Sequence, residues 1–271
     1  MKLHTVILPF FLLALLAGSP ASAFQKGGCG AGDCRDCHAV SKEEVAELLT
    51  GKVSEVLEVK RSEVPGLWDV EAVVRNKQGT PQKVPLYLDF SKSYLISGNV
   101  LKLESDENVT KSSFVKMNTV DRSRIPLEDA LLLGKADAAH QIIVFDDPEC
   151  KFCRKLHPVM KKVVEDHPDI AFLVKMFPLI MHPHAKQKAQ TIVCAKIGGD
   201  NAKALSLLDE SLAGKSLPEP ECENDAVEKN ITLGKELYIG STPTLIMPDG
   251  RVIPGYRDAD EIVKMLKETP K

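Results

Sequence analysis

The pattern of hydrophobic positions changes near residue 140. Before that point apolar and polar residues alternate at 68–74 and 84–90, with the two-residue period of half-buried strands. After it, mainly apolar runs at 141–145 and 170–177 are separated by stretches with helical spacing. The pattern therefore predicts a small antiparallel sheet followed by a domain in which strands and helices alternate.

The earlier part, residues 41–103, is predicted to be an α+β domain with one helix and a small antiparallel sheet, a cystatin-like layout. Ser41 and Glu44 form a capping box at the helix start, and Gly51 ends the helix. A third strand-like run spans 94–103. A sheet of about forty residues is too small to be stable alone, so we predict that it dimerises with a second copy. Packing against the C-terminal domain of the same chain is the alternative.

Residues 104–139 are predicted to be a linker between the two domains. The segment is polar at first and takes on a helical pattern around 127–133. Pro126 stands in the first turn of this predicted helix, and Gly134 stands at its end. A rigid linker helix would hold the C-terminal domain away from a dimer base.

The C-terminal part, residues 140–271, contains a C-x-x-C pair between a strand and a helix. The strand at 140–146 precedes Cys150 and Cys153, and an amphipathic run follows them to about 167. Later elements are a buried strand, two helical stretches, a hairpin and a last helix, at 170–177, 184–212, 225–238, 244–253 and 258–267.

The position of this pair predicts redox chemistry. Backbone N–H groups at a helix start stabilise an anion, and Lys151 and Arg154 also favour the thiolate, which is the nucleophile. Side chains at i and i+3 share a helix face, so the two sulfurs can bond to each other. We predict that Cys150 is exposed and attacks first, and that the deeper Cys153 resolves the mixed disulfide. A structural disulfide and half of a zinc site are the alternatives.

The first 23 residues are predicted to be a secretion signal. Lys2 gives a charged start, residues 6–17 form an apolar run, and Ala21 to Ala23 offer a small-residue cleavage site. A retained N-terminal anchor is the alternative. Cleavage would leave 248 of the 271 residues, with 34 basic and 38 acidic side chains and a net charge of −4. This balance argues against a nucleic-acid surface, and export to an oxidising compartment suits disulfide chemistry.

Residues 24–40 form a Gly-rich, cysteine-rich segment that we predict to be flexible. Cys34, Cys37 and His38 fit C-x-x-C-H, the attachment signature of c-type haem, with two thioethers and one axial imidazole. The segment has few apolar residues to bury a haem, and no second axial ligand is identifiable. A second exchanging dithiol, a metal clip that includes Cys29, and an inert tail are the alternatives. The dithiol chemistry at Cys150 itself requires no cofactor. All seven cysteines lie after residue 23, so at least one thiol stays unpaired within the chain.

From residue 140 onward the chain resembles the DsbC/DsbG family of periplasmic disulfide isomerases, which have the thioredoxin fold. The likeness is strong across about 140–268, is limited to the layout across 41–139, and does not cover the cysteine-rich segment. The residues that carry it are Phe145 to Cys153, Lys155-Leu156-His157, Val193-Cys194-Ala195-Lys196, Gly214-Lys215-Ser216, Cys222, Leu233-Gly234, Thr242-Pro243 and Pro254-Gly255-Tyr256.

The resemblance implies a fold, a dimer and several roles for residues. It implies a thioredoxin-fold domain with a helical insertion, a homodimer formed by the N-terminal domains, and a cis peptide at Pro243. Thr242 and Pro243 would lie beside the dithiol and bind extended substrate. It also implies a structural disulfide between Cys194 and Cys222, which would stabilise the insertion by roughly 3 kcal/mol. An ordinary trans proline and two free buried thiols are the alternatives.

The implied function is a periplasmic thiol:disulfide isomerase or reductase that acts on exported proteins with incorrect disulfides. A membrane thiol reductase would keep Cys150 reduced. Lys151 and Phe152 depart from the family's usual central dipeptide, and the charge of Lys151 should make the disulfide more oxidising. A net oxidase, a chaperone and a haem-linked electron carrier are the other candidate functions.

Three histidines are weaker candidates for chemistry. His157 is predicted to be an exposed or partly buried helix residue, with an acid–base role as the alternative. His182 and His184 are predicted to lie in a mobile loop, with metal ligation as the alternative.

Overall fold

A computed structural model of the chain describes residues 39–75, 79 and 81–267. The predicted secretion signal and the cysteines at 29, 34 and 37, with His38, lie outside the described residues. Within 39–75 and 81–267, every helix is too short or too polar to span a bilayer.

The described part contains seven α-helices, which we number in chain order. They are α1 Lys42–Leu48, α2 Val109–Met117, α3 Lys151–Asp166, α4 Ala185–Ile197, α5 Asn201–Leu212, α6 Ala226–Glu236 and α7 Ala259–Lys267. A single turn of 3-10 helix covers Arg122–Arg124.

Eleven strands form three sheets within the described ranges. They are β1 Glu55–Arg61, β2 Leu67–Arg75, β3 Pro81–Asp89, β4 Leu95–Ile96, β5 Leu101–Lys102, β6 Glu107–Asn108, β7 Leu131–Leu133, β8 His140–Asp146, β9 Ile170–Met176, β10 Thr244–Ile246 and β11 Val252–Pro254. The first sheet has the order β1-β2-β3-β4, the second has the order β11-β10-β8-β9-β7, and β5 pairs with β6 alone.

The first sheet is antiparallel and packs its apolar face against α1. Ser41 caps α1 by accepting the backbone N–H of Glu44, as predicted, and Gly51 follows with a positive φ of 77°. Trp68 is buried and its ring lies 4.9 Å from that of Phe90. Strand β1 was not predicted, and the predicted third run divides into β4 and β5. The alternation of the sequence therefore locates the two long central strands correctly.

The second sheet is mixed and is covered on both faces. Strands β8 and β9 are parallel, whereas β7, β10 and β11 are antiparallel to their neighbours. Residues Ile142 and Val144 face one apolar cluster with Leu156 and Met160 of α3. Their neighbours Ile143 and Phe145 face a second cluster on the other side. Burial on both faces explains why these strands are mainly apolar rather than alternating, with Lys175 the buried exception on β9.

The helix predicted at 127–133 is wrong. Residues Leu131–Leu133 form the edge strand β7, in which Leu131 pairs with Val174 of β9. Three consecutive leucines fit a short buried strand as well as a helix turn, and pairing with β9 decides between them. Gly134 has a φ of 107°. A Cβ atom placed on this residue would lie 3.1 Å from Ala171. The helix of this region is α2, where Asn108 accepts the N–H of Lys111.

Candidate active site

The two cysteines lie where strand β8 gives way to helix α3. Cys150 is the N-cap residue of α3, and its carbonyl accepts the backbone N–H of Arg154 at 3.0 Å. Cys153 lies in the first turn and faces the core, where it is fully buried. The strand-to-helix position predicted from the sequence is therefore confirmed.

The predicted exposure of Cys150 is wrong. Only 6% of the residue is exposed, because the chain around Thr242 covers it from the other side. The Cys150 thiol donates to the backbone carbonyl of Thr242, at 3.3 Å. The order of depth is as predicted, since Cys153 has no exposed surface at all. The attacking sulfur is therefore nearly buried.

The environment of Cys150 favours its thiolate. A hydrogen bond from the Cys153 thiol and the backbone N–H groups of Phe152 and Cys153 outweigh burial and lower the pKa of Cys150 to about 6. The direction agrees with the sequence analysis, although these short-range donors are the main cause. The exposed Lys151 and Arg154, which the sequence singled out, are not among the largest contributions. Hydrogen-bond donation to the thiolate is the reason, first from the Cys153 thiol and then from the N–H groups of the helix start.

Cys153 is shifted in the opposite direction. Burial raises its pKa well above the usual thiol value, and the hydrogen bond to Cys150 and the charge of Asp146 add to this shift. The backbone N–H of Asp147 points at the Cys153 sulfur from 3.5 Å. One sulfur is thus held as a nucleophile, while its neighbour is held as a protonated thiol.

The segment before β10 completes the site. The Thr242–Pro243 peptide is cis, and both residues are buried. Strand β10 follows at Thr244, which pairs with Phe145 of β8. The segment therefore lies beside the end of β8, the strand that precedes the two cysteines. The Pro243 carbonyl accepts the N–H of Gly255 at 2.7 Å. The sheet therefore brings residues 242 and 243 to the dithiol.

Polar contacts fix the turn before Cys150, and the sequence analysis missed most of them. Asp147 accepts the N–H groups of Glu149 at 2.7 Å and Leu179 at 2.6 Å, and its carboxylate lies 2.7 Å from His182 Nδ1. Ser211 of α5 donates to the Pro148 carbonyl at 2.8 Å. These contacts join residues up to 63 positions apart, which no local pattern shows.

The prediction of a mobile loop for His182 and His184 is not what the structure shows. His182 pairs with Asp147, and the backbone N–H of His184 donates to Glu149 at 3.2 Å. Lys188 of α4 lies 2.8 Å from the Glu149 carboxylate. Burial opposes ionisation of Glu149, but the hydrogen bonds from Lys188 and the His184 N–H, together with the charge of Lys188, outweigh burial and lower the pKa. Across the described ranges, no group of three or more His, Cys, Asp or Glu side chains could hold a metal ion.

Exposed apolar side chains belong to the same elements as the dithiol. Phe152 is 57% exposed, and Ile180 and Met181 are exposed in the loop that Asp147 holds. Tyr256 follows Gly255, which is bonded to Pro243. Exposed apolar residues thus occur on three chain segments that lie next to the dithiol in the hydrogen-bond pattern.

The second cysteine pair is bonded. Cys194 near the end of α4 and Cys222 form a disulfide with a Cα–Cα distance of 5.6 Å. The side-chain amide of Asn224 donates to both sulfurs, at 3.4 and 3.3 Å. The bond ties α4 to the segment before α6, so the pairing implied by the resemblance is present.

The low pKa of Cys150 gives a testable result. We expect the alkylation rate of reduced protein by iodoacetamide to be high above pH 6 and to fall as the pH drops through about 6, because the thiolate is protonated there. In Cys153→Ala the hydrogen bond from the second thiol is absent, so the midpoint should move to higher pH. The measurement is the rate of carbamidomethylation at Cys150, followed by mass spectrometry. An unchanged midpoint in this variant would remove Cys153 as the main cause.

A mixed sheet, a C-x-x-C pair at a helix start and a facing cis-proline together define a thioredoxin-like protein. The family model for the thioredoxin-like domain matches residues 127–270, more than half of the chain, and the chain belongs to this family. The match begins before residue 140 and thus includes β7 in the domain.

Several curated relatives are similar to the chain. A probable thiol:disulfide interchange protein DsbC of Bordetella avium is 27% identical over 163 residues, 60% of this chain and 55% of that protein. The DsbC of Escherichia coli K12 is 29% identical over 192 residues, 69% of this chain and 74% of that protein. The chain thus matches little more than half the length of the Bordetella avium relative.

A solved structure is also similar. The disulfide interchange protein of Neisseria gonorrhoeae matches with a TM-score of 0.45 and 28% identity, over 54% of this chain and 99% of that one.

Proposed function

We propose that the protein is a thiol:disulfide interchange enzyme that corrects wrong disulfides in exported proteins through Cys150 and Cys153. The observation that carries this proposal is the placement of two thiols at one helix start with opposite pKa shifts. The pKa of Cys150 is lowered to about 6, and that of Cys153 is raised. Similarity to relatives named thiol:disulfide interchange protein DsbC supports the same activity.

In the proposed reaction the Cys150 thiolate attacks a substrate disulfide and forms a mixed disulfide. Thr242 and Pro243 bind the extended substrate chain, whose backbone pairs beside the sulfur. The freed substrate thiol then attacks another substrate cysteine, which isomerises the protein. Alternatively, Cys153 attacks Cys150 and releases a reduced substrate. Because isomerisation requires reduced Cys150, the proposal includes an electron donor, a membrane thiol reductase.

The proposal places the protein in the periplasm as a homodimer. Export to the periplasm is proposed because the first 23 residues are expected to be a secretion signal. The first sheet is the expected dimer surface, since β1 and β4 are its two edge strands and unpaired edges favour pairing with another chain. The edge strand β4 and the turn before it also expose apolar side chains, Ile96 and Tyr94, which add apolar area for a second copy.

The test is the refolding of a scrambled multi-disulfide protein, such as scrambled ribonuclease, in a glutathione buffer. We expect catalytic amounts of the protein to restore the substrate's activity several times faster than buffer alone. The parallel assay begins from reduced ribonuclease and reports oxidation. A protein that oxidises the reduced substrate and leaves the scrambled one uncorrected is not an isomerase.

Net oxidation is the second candidate, and one specific observation favours it. A thiolate that is stable at neutral pH stabilises the reduced enzyme, so the Cys150–Cys153 disulfide becomes a stronger oxidant. The same pair of assays separates the two functions, because an oxidase acts as the disulfide and an isomerase acts as the dithiol.

Covalent haem at Cys34, Cys37 and His38 stays a prediction, from which a haem-linked electron carrier would follow. Full-length protein made in a host with cytochrome maturation should show a Soret band and a mass gain of one haem. The variant Cys34→Ala/Cys37→Ala should lose both signals, since it lacks the thioether sulfurs. Colourless wild-type protein of unmodified mass would rule haem out and leave the dithiol, metal-clip and inert-tail alternatives.

A further inference from the structure

Tyr238 has an unusual backbone conformation just before the loop that leads to the cis peptide. It follows the C-cap residue of α6 with a φ of 56°, in the left-handed region that glycine favours. Its backbone N–H donates to the Lys235 carbonyl at 3.1 Å, and the N–H of Ile239 donates to the Gly234 carbonyl at 2.7 Å. These two bonds form a Schellman motif, in which glycine is the usual residue at this position. A non-glycine residue is held there only where its surroundings fix it, so the contacts of the Tyr238 side chain are informative.

The side chain of Tyr238 contacts the first sheet. The ammonium group of Lys83, on β3, lies 4.7 Å from the centroid of the Tyr238 ring, where a cation is attracted to the ring face. The Tyr238 hydroxyl donates to the carboxylate of Glu55, the first residue of β1, at 3.3 Å. Glu55 lies 183 positions earlier in the chain. Tyr238 therefore joins the thioredoxin-like domain to the first sheet.

Lys83 is held at this junction by a second contact. Its ammonium group donates to the carbonyl of Met117, the last residue of α2, at 3.4 Å. Burial lowers the pKa of Lys83, and the charge of Glu71 opposes this shift. The ammonium group thus lies among three elements, which are β3, the end of α2 and the residue after the end of α6.

The chain after α2 fastens to the other side of the same junction. The Asn118 carbonyl accepts the N–H of Val252, the first residue of β11, at 2.8 Å. The backbone N–H of Val120 donates to the Gly250 carbonyl at 2.9 Å. A cavity of about 100 Å³ lies between the first sheet, α2 and the loop after Tyr238, and its lining includes Lys83, Phe114, Tyr238 and Ser241. The loop therefore has the first sheet behind it.

The loop 239–243 connects Tyr238 to the dithiol over a short distance. Ile239 is buried, and three residues later the Thr242 carbonyl accepts the Cys150 thiol at 3.3 Å. Each residue of an extended chain spans at most about 3.6 Å, so the three residues between Tyr238 and Thr242 leave little slack. A displacement of Tyr238 is therefore transmitted to Thr242.

We propose that Tyr238 is a positioning residue, through which the first sheet holds the loop 239–243 in the form that binds an extended substrate chain. The inference rests on the proposed function, in which Thr242 and Pro243 bind substrate backbone. The first sheet then supports the substrate site of its own chain, in addition to its proposed role in dimerisation. Because Tyr238 acts through the loop, it alters the affinity for extended chains and leaves the attack by Cys150 itself unchanged.

The test compares two disulfides in reactions with reduced full-length protein. One is an extended peptide that carries a fluorophore and a quencher joined through a disulfide. The other is DTNB, a small aromatic disulfide without a peptide backbone. Stopped-flow rates with excess peptide give a half-saturating concentration and a limiting rate. The rate with DTNB reports the reactivity of Cys150 without contacts to a substrate chain.

In Tyr238→Gly we expect the half-saturating peptide concentration to rise about threefold to tenfold, because the peptide must then order the loop when it binds. Glycine favours the left-handed conformation and keeps the Schellman bonds, so α6 should end as it does in the wild type. The limiting rate with peptide and the rate with DTNB should each change less than about twofold, which is the pattern of lost binding without lost chemistry.

A second variant removes the contact from the side of the first sheet and leaves the backbone at residue 238 unchanged. Lys83→Met keeps an apolar stem and lacks the ammonium group, so the half-saturating concentration should rise about twofold to fivefold. Lys83→Arg keeps a cation that can stack on the ring and should keep the wild-type value. The matched control is Lys92→Met, which removes a cation of the same domain that lies 2.6 Å from Glu44 of α1. The control should bind peptide as the wild type does.

Each outcome decides a different point. An unchanged half-saturating concentration in Tyr238→Gly overturns the positioning role. An unchanged value in Lys83→Met overturns it even if Tyr238→Gly is impaired, because the effect would then come from the flexibility of glycine. A parallel loss of rate with DTNB also overturns it, since that loss indicates damage at Cys150. A wild-type protein that cleaves neither disulfide contradicts the proposed function instead.

Discussion

Replacing Cys150 with serine should reduce the correction of scrambled ribonuclease to the rate of the glutathione buffer alone. The serine hydroxyl is not ionised at neutral pH, so the stabilisation that lowers the pKa of Cys150 to about 6 yields no nucleophile. Cys153 cannot substitute, because it is fully buried and its own pKa is raised. The measurement is recovery of ribonuclease activity with time.

The companion variant Cys153→Ser should still attack substrate but should fail to release it. It keeps the attacking thiolate and lacks the resolving thiol, so mixed disulfides with substrate should accumulate and appear on non-reducing gels. Both variants should give the circular dichroism spectrum of the reduced wild type. Correction that survives in Cys150→Ser would remove Cys150 as the nucleophile and favour a chaperone activity.

Replacing Asp129 with alanine should lower the free energy of unfolding by about 3 to 5 kcal/mol. The ammonium group of Lys175, on the central strand β9, is completely buried and pairs with the Asp129 carboxylate. It also donates to the Pro126 carbonyl at 2.7 Å, while Asn230 donates to the other oxygen of Asp129 at 2.6 Å. Without Asp129, a buried cation loses its counter-charge and keeps only a carbonyl acceptor, which costs more than the pair contributes when intact.

Urea denaturation of the variants measures this effect, with a lower midpoint and an unchanged slope expected for Asp129→Ala. The matched control is Glu128→Ala. Its side chain is exposed, so the free energy of unfolding should change by less than about 0.5 kcal/mol. A double variant, Asp129→Leu with Lys175→Met, should recover much of the loss, because no buried charge remains. A cost below about 1 kcal/mol in Asp129→Ala would mean that water reaches Lys175.

Local pattern was sufficient for the parts of the site that lie within one stretch of chain. The apolar run before Cys150 and the amphipathic run after it place the dithiol at a strand end and a helix start. The i, i+3 spacing sets the two sulfurs on one face. The direction of the Cys150 pKa shift follows from the helix start together with a second thiol at i+3, and the structure has the same direction.

The errors occur where a distant partner decides the outcome. Leu131 to Leu133 form a strand because β9 offers them backbone partners. Cys150 is covered because Thr242, 92 residues away, lies against it. His157 is buried because Asp146 and Asp209 flank it from another strand and another helix. In each case the residue types were visible in the sequence, but their neighbours were not.

The sequence by itself determined the order of strands and helices after residue 140, the dithiol and its helix start, and the capped helix at Ser41. These features depend on periodicity and on residues within a few positions of each other. Only the tertiary structure decided the edge strand β7, the cover over Cys150, and the two buried ionic clusters at Asp146 and Asp129. Periodicity fixes which side of an element is buried, whereas the partner that buries it is chosen by packing between segments far apart in the chain.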